Sequence, residues 1–226
     1  MLRVFSLLCF ATVFAGTAQA AIIVSFSGTG LPAAPLTLGL SQTTSIDLFM
    51  VWDGTGTNFL DASDGLLSAG LNVHYNTPGG PVSVVSGSPA AGWDPFLSEI
   101  TVDNTNGMTA ISTTVAFLDP PVTGLTAVQI ATLQIQGSAL GSSTLTLSDL
   151  LPDPSVDTLT ALGEYLDDPS ALAPDTLDFS QSLDITVTAF TAVPEPSCIA
   201  MLVAIAGPGV WLRKKITRRR HAFVST

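Results

Sequence analysis

Leu183-Asp184-Ile185-Thr186-Val187-Thr188-Ala189 alternates apolar and polar residues without a break. In an extended chain successive side chains point to opposite faces, so Leu183, Ile185, Val187 and Ala189 share one side and Asp184, Thr186 and Thr188 the other. Such a stretch reads as a half-buried strand, apolar toward a core and polar toward water. The same period recurs upstream. Ile46, Leu48, Met50 and Trp52 share a phase, as do Leu71, Val73 and Tyr75; Ile111, Thr113, Val115 and Phe117; Leu133 and Ile135; and Leu145 and Leu147. Ile22–Phe26, Val82–Val85 and Leu97–Val102 add three shorter runs, giving about nine strands over the 172 residues from Ala21 to Ala192. Turn-forming clusters separate them, as in Asn76-Thr77-Pro78-Gly79-Gly80 and Asp103-Asn104-Thr105-Asn106-Gly107. This many half-buried strands predict an all-β, antiparallel sandwich of two sheets. Helical spacing occurs once, at Leu159, Leu162 and Leu166, with Asp157 placed to cap; a short helix is expected there, inside a long loop from Leu151 to Asp178. No repeat of fixed period is found, which argues against a solenoid or propeller.

Charge divides the chain into three pieces. Its 226 residues carry 7 Lys and Arg against 18 Asp and Glu, for a net charge of -11. All seven cations lie at the ends: Arg3, Arg213, Lys214, Lys215, Arg218, Arg219 and Arg220. All the acids except Glu195 lie between Ala21 and Ala192, which is therefore purely anionic apart from His74. That distribution excludes an electrostatic nucleic-acid binder, and the hydrophobic content of 46% excludes a disordered chain.

Residues 1–20 have the order of a signal peptide. Arg3 precedes an apolar run from Val4 to Phe14, and Ala18-Gln19-Ala20 supplies a small-residue cleavage site with Ala18 and Ala20 at its defining positions. Removal takes Cys9 with it. The only other cysteine is Cys198, so the exported middle holds no disulfide and depends on a packed core.

Residues 193–220 read as a membrane-sorting tail. Val193-Pro194-Glu195-Pro196-Ser197-Cys198 is held extended by its prolines, which no helix or central strand accommodates. The uncharged residues 198–212 follow, then the basic cluster Arg213, Lys214, Lys215, Arg218, Arg219 and Arg220. As a helix the apolar stretch spans about 22 Å, against a bilayer core about 30 Å thick, a gap that snorkelling basic side chains narrow. The positive-inside rule sets the cluster in the cytoplasm and the anionic middle beyond the membrane. A Pro-Glu-Pro motif, a short hydrophobic segment and a terminal Arg cluster together resemble the PEP-CTERM sorting signal. The resemblance implies export across a bacterial inner membrane and recognition of the tail by an exosortase-type membrane enzyme. It also implies delivery to the cell surface or an extracellular polysaccharide matrix.

In the middle, Ser68-Ala69-Gly70-Leu71-Asn72-Val73-His74-Tyr75-Asn76 and Ile130-Ala131-Thr132-Leu133-Gln134-Ile135-Gln136 are arranged like strands of a cohesin-like sandwich. The second leads through Gly141-Ser142-Ser143 into Thr144-Leu145-Thr146-Leu147-Ser148. This architecture is related to that of certain carbohydrate-binding modules. The resemblance covers roughly Ile46 to Ala189 and implies noncovalent binding of a surface protein or a polysaccharide, without catalysis.

With no cation in the middle, its carboxylates find relief in water, backbone donors, counter-ions or divalent cations. Asp61, Asp64, Asp153 and Asp157 sit in oxygen-rich turns that offer the chemistry calcium prefers, although solvated acidic turns are the simpler account of each and none fits an EF-hand. Trp93 and Phe96, in the loop Trp93-Asp94-Pro95-Phe96, are the candidates for stacking on a ligand; capping the core is the alternative for either ring. Catalytic signals are thin. Between Ala21 and Ala192 there is no thiol and no pair of histidines for zinc, the chain shows no Gly-x-Ser-x-Gly elbow or phosphate loop, and His74 is the sole base in that region available to a serine nucleophile. The expectation is an exported, non-enzymatic binding or adhesion protein with no required cofactor.

Overall fold

A computed structural model describes residues 22–55, 57–75, 79–151, 157–163, 165–166 and 177–189. The expected signal peptide and sorting tail lie outside the described residues, as does Asp153.

The described residues form twelve strands: β1 (Ile22–Ser25), β2 (Leu36–Gly39), β3 (Thr43–Trp52), β4 (Leu66–His74), β5 (Val82–Pro89), β6 (Glu99–Asp103), β7 (Met108–Thr114), β8 (Ala127–Gly137), β9 (Gly141–Ser148), β10 (Leu159–Thr160), β11 (Leu177–Asp178) and β12 (Ser182–Thr188). They form two sheets, as the alternation predicts. The first runs β11-β1-β3-β8-β5; the second runs β2-β12-β9-β4-β7-β6, with β10 paired to β4. Most ladders are antiparallel, but β1–β11 and β2–β12 are parallel, so the sheets are mixed rather than purely antiparallel. Both parallel pairs sit at sheet margins, where a segment returning from a distant part of the chain can add in either direction.

The alternation works as the sequence implies. Along β12, Leu183, Ile185 and Val187 are buried while the residues between them are exposed. Across the interface Leu71, Val73, Ile111, Leu145 and Ile185 from the second sheet share one core with Ile22, Val24, Leu48, Met50, Leu133 and Ile135 from the first. Burying each such side chain contributes about 1.5–3 kcal/mol against the entropy of ordering the chain. The register of β3 on β8 steps from Leu48↔Ala131 to Phe49↔Gln129, which leaves Ile130 as the extra residue of a bulge. Ile130 and Ala131 are consequently both buried in succession, a break in period that a regular ladder would not allow.

Among the described residues of Asp157–Leu166 the expected helix is absent. Leu159 and Thr160 instead pair with Ser68 and Leu66 of β4, and Thr158 and Thr160, whose β-branched side chains suit a strand, are buried together with Leu166. Leu162, assigned by its spacing to the buried helix face, is 71% exposed. Gly163, at φ +85°, turns the chain.

One edge of the first sheet is closed by a side chain. The Asn104 amide Nδ2 donates to the Val84 carbonyl at 2.8 Å, and the Val84 N–H donates to Asn104 Oδ1 at 3.0 Å. Both backbone groups that Val84 turns away from β8 are thereby satisfied, and a bulge between Val84 and Ser86 bends the same edge.

Candidate binding surface

Three loops cross between the sheets at one end of the sandwich. Residues 53–65 lead from β3 to β4, 90–98 from β5 to β6, and 115–126 from β7 to β8. Backbone hydrogen bonds tie them together. Leu66 and Val122 exchange two bonds of 2.9 Å, Gly124 N–H donates to Leu60 O at 2.7 Å, and Asp94 N–H donates to Thr114 O at 2.9 Å. The turn after β10 joins them through Ala161 N–H to Gly65 O at 3.0 Å.

Trp93 and Phe96, three residues apart on one of these loops, have opposite fates. Trp93 is 4% exposed, packs with the core and donates its indole N–H to Gln129 O at 2.9 Å, so its ring has no free face for a ligand. Its expected ligand role is corrected to that of an aromatic cap, because the open side of the core beneath the loop takes the larger ring and a β8 carbonyl satisfies its one polar atom. Asp94 reverses the chain immediately afterwards: its Oδ1 accepts from the N–H of Phe96 at 2.7 Å and of Leu97 at 3.2 Å. The turn projects Phe96 into solvent, 95% exposed.

Phe96 has company that the alternation did not single out. Phe117, expected to continue β7 on its apolar side, lies beyond the end of that strand and is 92% exposed. Leu118 beside it is 88% exposed and has φ +83°, a conformation costing an L-residue about 1–2 kcal/mol. Leu125 on the same loop is 90% exposed. The one sequence signal for these residues is composition, since Phe117-Leu118-Asp119-Pro120-Pro121 puts large apolar residues where turn chemistry forbids a strand.

The acids named as calcium candidates divide between separate places. Asp61 and Asp64 share the β3–β4 loop, with Asp64 N–H bonded to Asp61 O at 3.2 Å. Asp61 is exposed to water at its carboxylate, and the hydroxyl of Ser63, followed by the Ser63 N–H, holds its pKa below the usual aspartate value. Asp64 is 5% exposed; its Oδ1 accepts the Leu162 N–H at 3.1 Å, and its buried Oδ2 has no hydrogen-bond partner among the described residues. Asp157 lies against β4 instead. Its carboxylate packs directly over Gly70, so a Cβ there would displace the Asp157 side chain. Among the described residues no three His, Cys, Asp or Glu side chains gather as a metal cage.

Asp103, at the β6–β7 turn, resembles Asp61 chemically. The Asn106 side-chain amide and then its backbone N–H lower the Asp103 pKa, with the Thr105 N–H assisting. Both acids therefore favour the folded state at neutral pH. Their contribution is fully present above the unfolded value near 3.8 and disappears as pH falls through the lower folded values. In an NMR pH titration the Asp61 and Asp103 carboxyl carbons are expected to move with midpoints below 3.8; midpoints at or above that value would contradict the turn geometry.

His74 stands on the outer side of β4, its Nε2 2.8 Å from Ser148 Oγ. Among the described residues no carboxylate contacts its other ring nitrogen, so the pair lacks the orienting member of a triad.

No protein-family model matches the chain, and no curated protein matches it. Solved structures do. A chain of the complex between CaCohA2 and a CaDoc0917 variant aligns with a TM-score of 0.50 at 13% identity, over 74% of this chain and 100% of that one. CaCohA2 from Clostridium acetobutylicum, solved in solution, aligns at 0.45 and 16% identity over 75% and 92%. A cohesin–dockerin complex from Clostridium thermocellum contributes a chain aligned at 0.49 and 10% identity over 75% and 99%. At these identities the likeness is one of fold: the sandwich is cohesin-like.

Proposed function

We propose that this chain is an exported, non-catalytic binding protein that works at a bacterial cell surface or in an extracellular matrix, with the cohesin-like sandwich as its adhesive module. The observation carrying this reading is the loop end of the sandwich, where Phe96, Phe117, Leu118 and Leu125 stand in water on crossover loops tied to a well-packed core. Large apolar side chains held in solvent on such loops suit contact with a partner better than they serve stability. The segregation of every Lys and Arg into the terminal segments supports export, with the anionic sandwich beyond the membrane. The PEP-CTERM-like tail supports handling by an exosortase-type enzyme.

Intact-mass measurement of protein extracted from the cell surface tests the sorting. Loss of residues 1–20 together with loss of the tail is expected. Full-length chain among the soluble intracellular contents would overturn the reading.

Polysaccharide binding is the second reading, favoured by the exposed Phe96 ring. Its test is titration with polysaccharides before and after Phe96→Ala, since Trp93 serves the core. A drop in affinity with unchanged melting temperature would place the sugar at this end.

Calcium is proposed for the Asp61–Asp64 loop alone, supported by the buried, unpartnered Asp64 oxygen in a sandwich without Lys or Arg. Millimolar calcium is expected to raise the melting temperature beyond what NaCl of matched ionic strength does. Equal effects of the two salts would leave only screening.

A further inference from the structure

We infer that the apolar end of the sandwich docks a protein segment in which large apolar side chains are flanked by Lys or Arg. This deepens the reading of the sandwich as a non-catalytic binding module and rests on it. The shape of the surface comes first. Phe96, Phe117, Leu118 and Leu125 project from two crossover loops that Asp94 N–H to Thr114 O and the paired Leu66 and Val122 hold to the strand ends. The rings and methyl groups therefore sit on a fixed base, which lowers the entropy lost when a partner covers them.

Charge then selects the occupant. Asp94 and Asp119 lie on these same two loops, Asp61 on the third, and no Lys or Arg occurs anywhere between Ala21 and Ala192. A partner covering the leucines and phenylalanines must approach several carboxylates that have no cation of their own. A second copy would bring the same carboxylates face to face and be repelled. An anionic lipid surface is repelled for the same reason. A glycan leaves the charges unanswered. A segment carrying Lys or Arg around an apolar centre buries the hydrophobic residues and supplies the missing cations at the rim, where they speed association and select register.

The probes are three synthetic peptides of equal length with the same Leu and Phe positions and with Lys, Ser or Glu between them. Binding is measured to the full chain immobilised through its C-terminus. The Lys peptide is expected to bind at least about tenfold tighter than the Ser peptide, with the Glu peptide weakest and the difference shrinking as salt is raised. Phe96→Ser with Phe117→Ser is expected to weaken the Lys peptide by about tenfold or more, as loss of central aromatic anchors does. Both side chains are solvent-exposed, so the melting temperature of the double variant should stay within a degree or two of the parent. Equal binding of the Lys and Ser peptides, no binding of any, or an unchanged affinity in the double variant would overturn the proposal. Phosphatidylcholine vesicles that bind the parent but not the double variant would also overturn it, naming a bilayer as the occupant. Surface extraction read by intact mass stays separate: an exported chain that ignores the Lys peptide sinks this inference and leaves the sorting standing. A chain retained inside the cell does the reverse.

Discussion

Trp93→Ala is expected to lower the stability of the sandwich by about 3–5 kcal/mol, the range for deleting a buried Trp or Phe side chain. The indole fills the core beneath the β5–β6 crossover, and its removal leaves both a cavity and a Gln129 carbonyl without its donor. Urea unfolding checks this: the midpoint should fall steeply while the slope stays near the parent value. Phe96→Ala, three residues along the same loop, should move the midpoint by no more than about 0.5 kcal/mol equivalent. A Trp93→Ala protein as stable as the parent would return Trp93 to the surface and undo the assignment of the two aromatics. Ligand titration against a Trp93 variant therefore reports on folding before it reports on contact.

Gly124→Ala is expected to cost about 3 kcal/mol, at the upper end of what overpacking usually costs. A Cβ built there stands 1.9 Å from the Ala127 carbonyl oxygen and 2.8 Å from its carbon. Those atoms are backbone at the start of β8, so they cannot swing aside as a long side chain would. Gly124 N–H is meanwhile bonded to Leu60 O, so a shift of the turn would also disturb the β3–β4 loop. Gly54→Ala is the control. Its added Cβ meets nothing within 4 Å, and only its φ of +88° resists the change, at about 1 kcal/mol or a little more. Comparable midpoints for the two variants in urea would show that the turn yields and that the close approach is unimportant.

Six of the nine expected strands were legible because alternation defines a buried side, as along β12, whereas β1, β5 and β6 were legible as short apolar runs between turn residues. β2, β10 and β11 were not. The last two are two residues long, too short for any period, and β2 and β11 join their sheets in parallel to partners far away in sequence. The expected helix failed for a related reason: Leu159, Leu162 and Leu166 have helical spacing, but that spacing carries no record of whether β4 offers Ser68 and Leu66 as pairing partners. At the candidate surface, sequence singled out the Trp93–Phe96 loop without being able to tell which of its aromatics is buried. Trp93 and Phe96 differ in fate because Asp94 reverses the chain between them, and only the packed core determines which ring lies beneath. Phe117 was misassigned because Ile111, Thr113 and Val115 set a phase that the strand abandons after Thr114. Leu118 and Leu125 lie outside any periodic pattern, so their exposure becomes visible only when the crossovers are in place.

The carboxamide of Asn104 occupies the outward backbone groups of Val84, so a neighbouring molecule finds no template there for extending the first sheet. Crowded side by side, molecules built this way meet an obstacle to zipping into fibrils at that point of the margin.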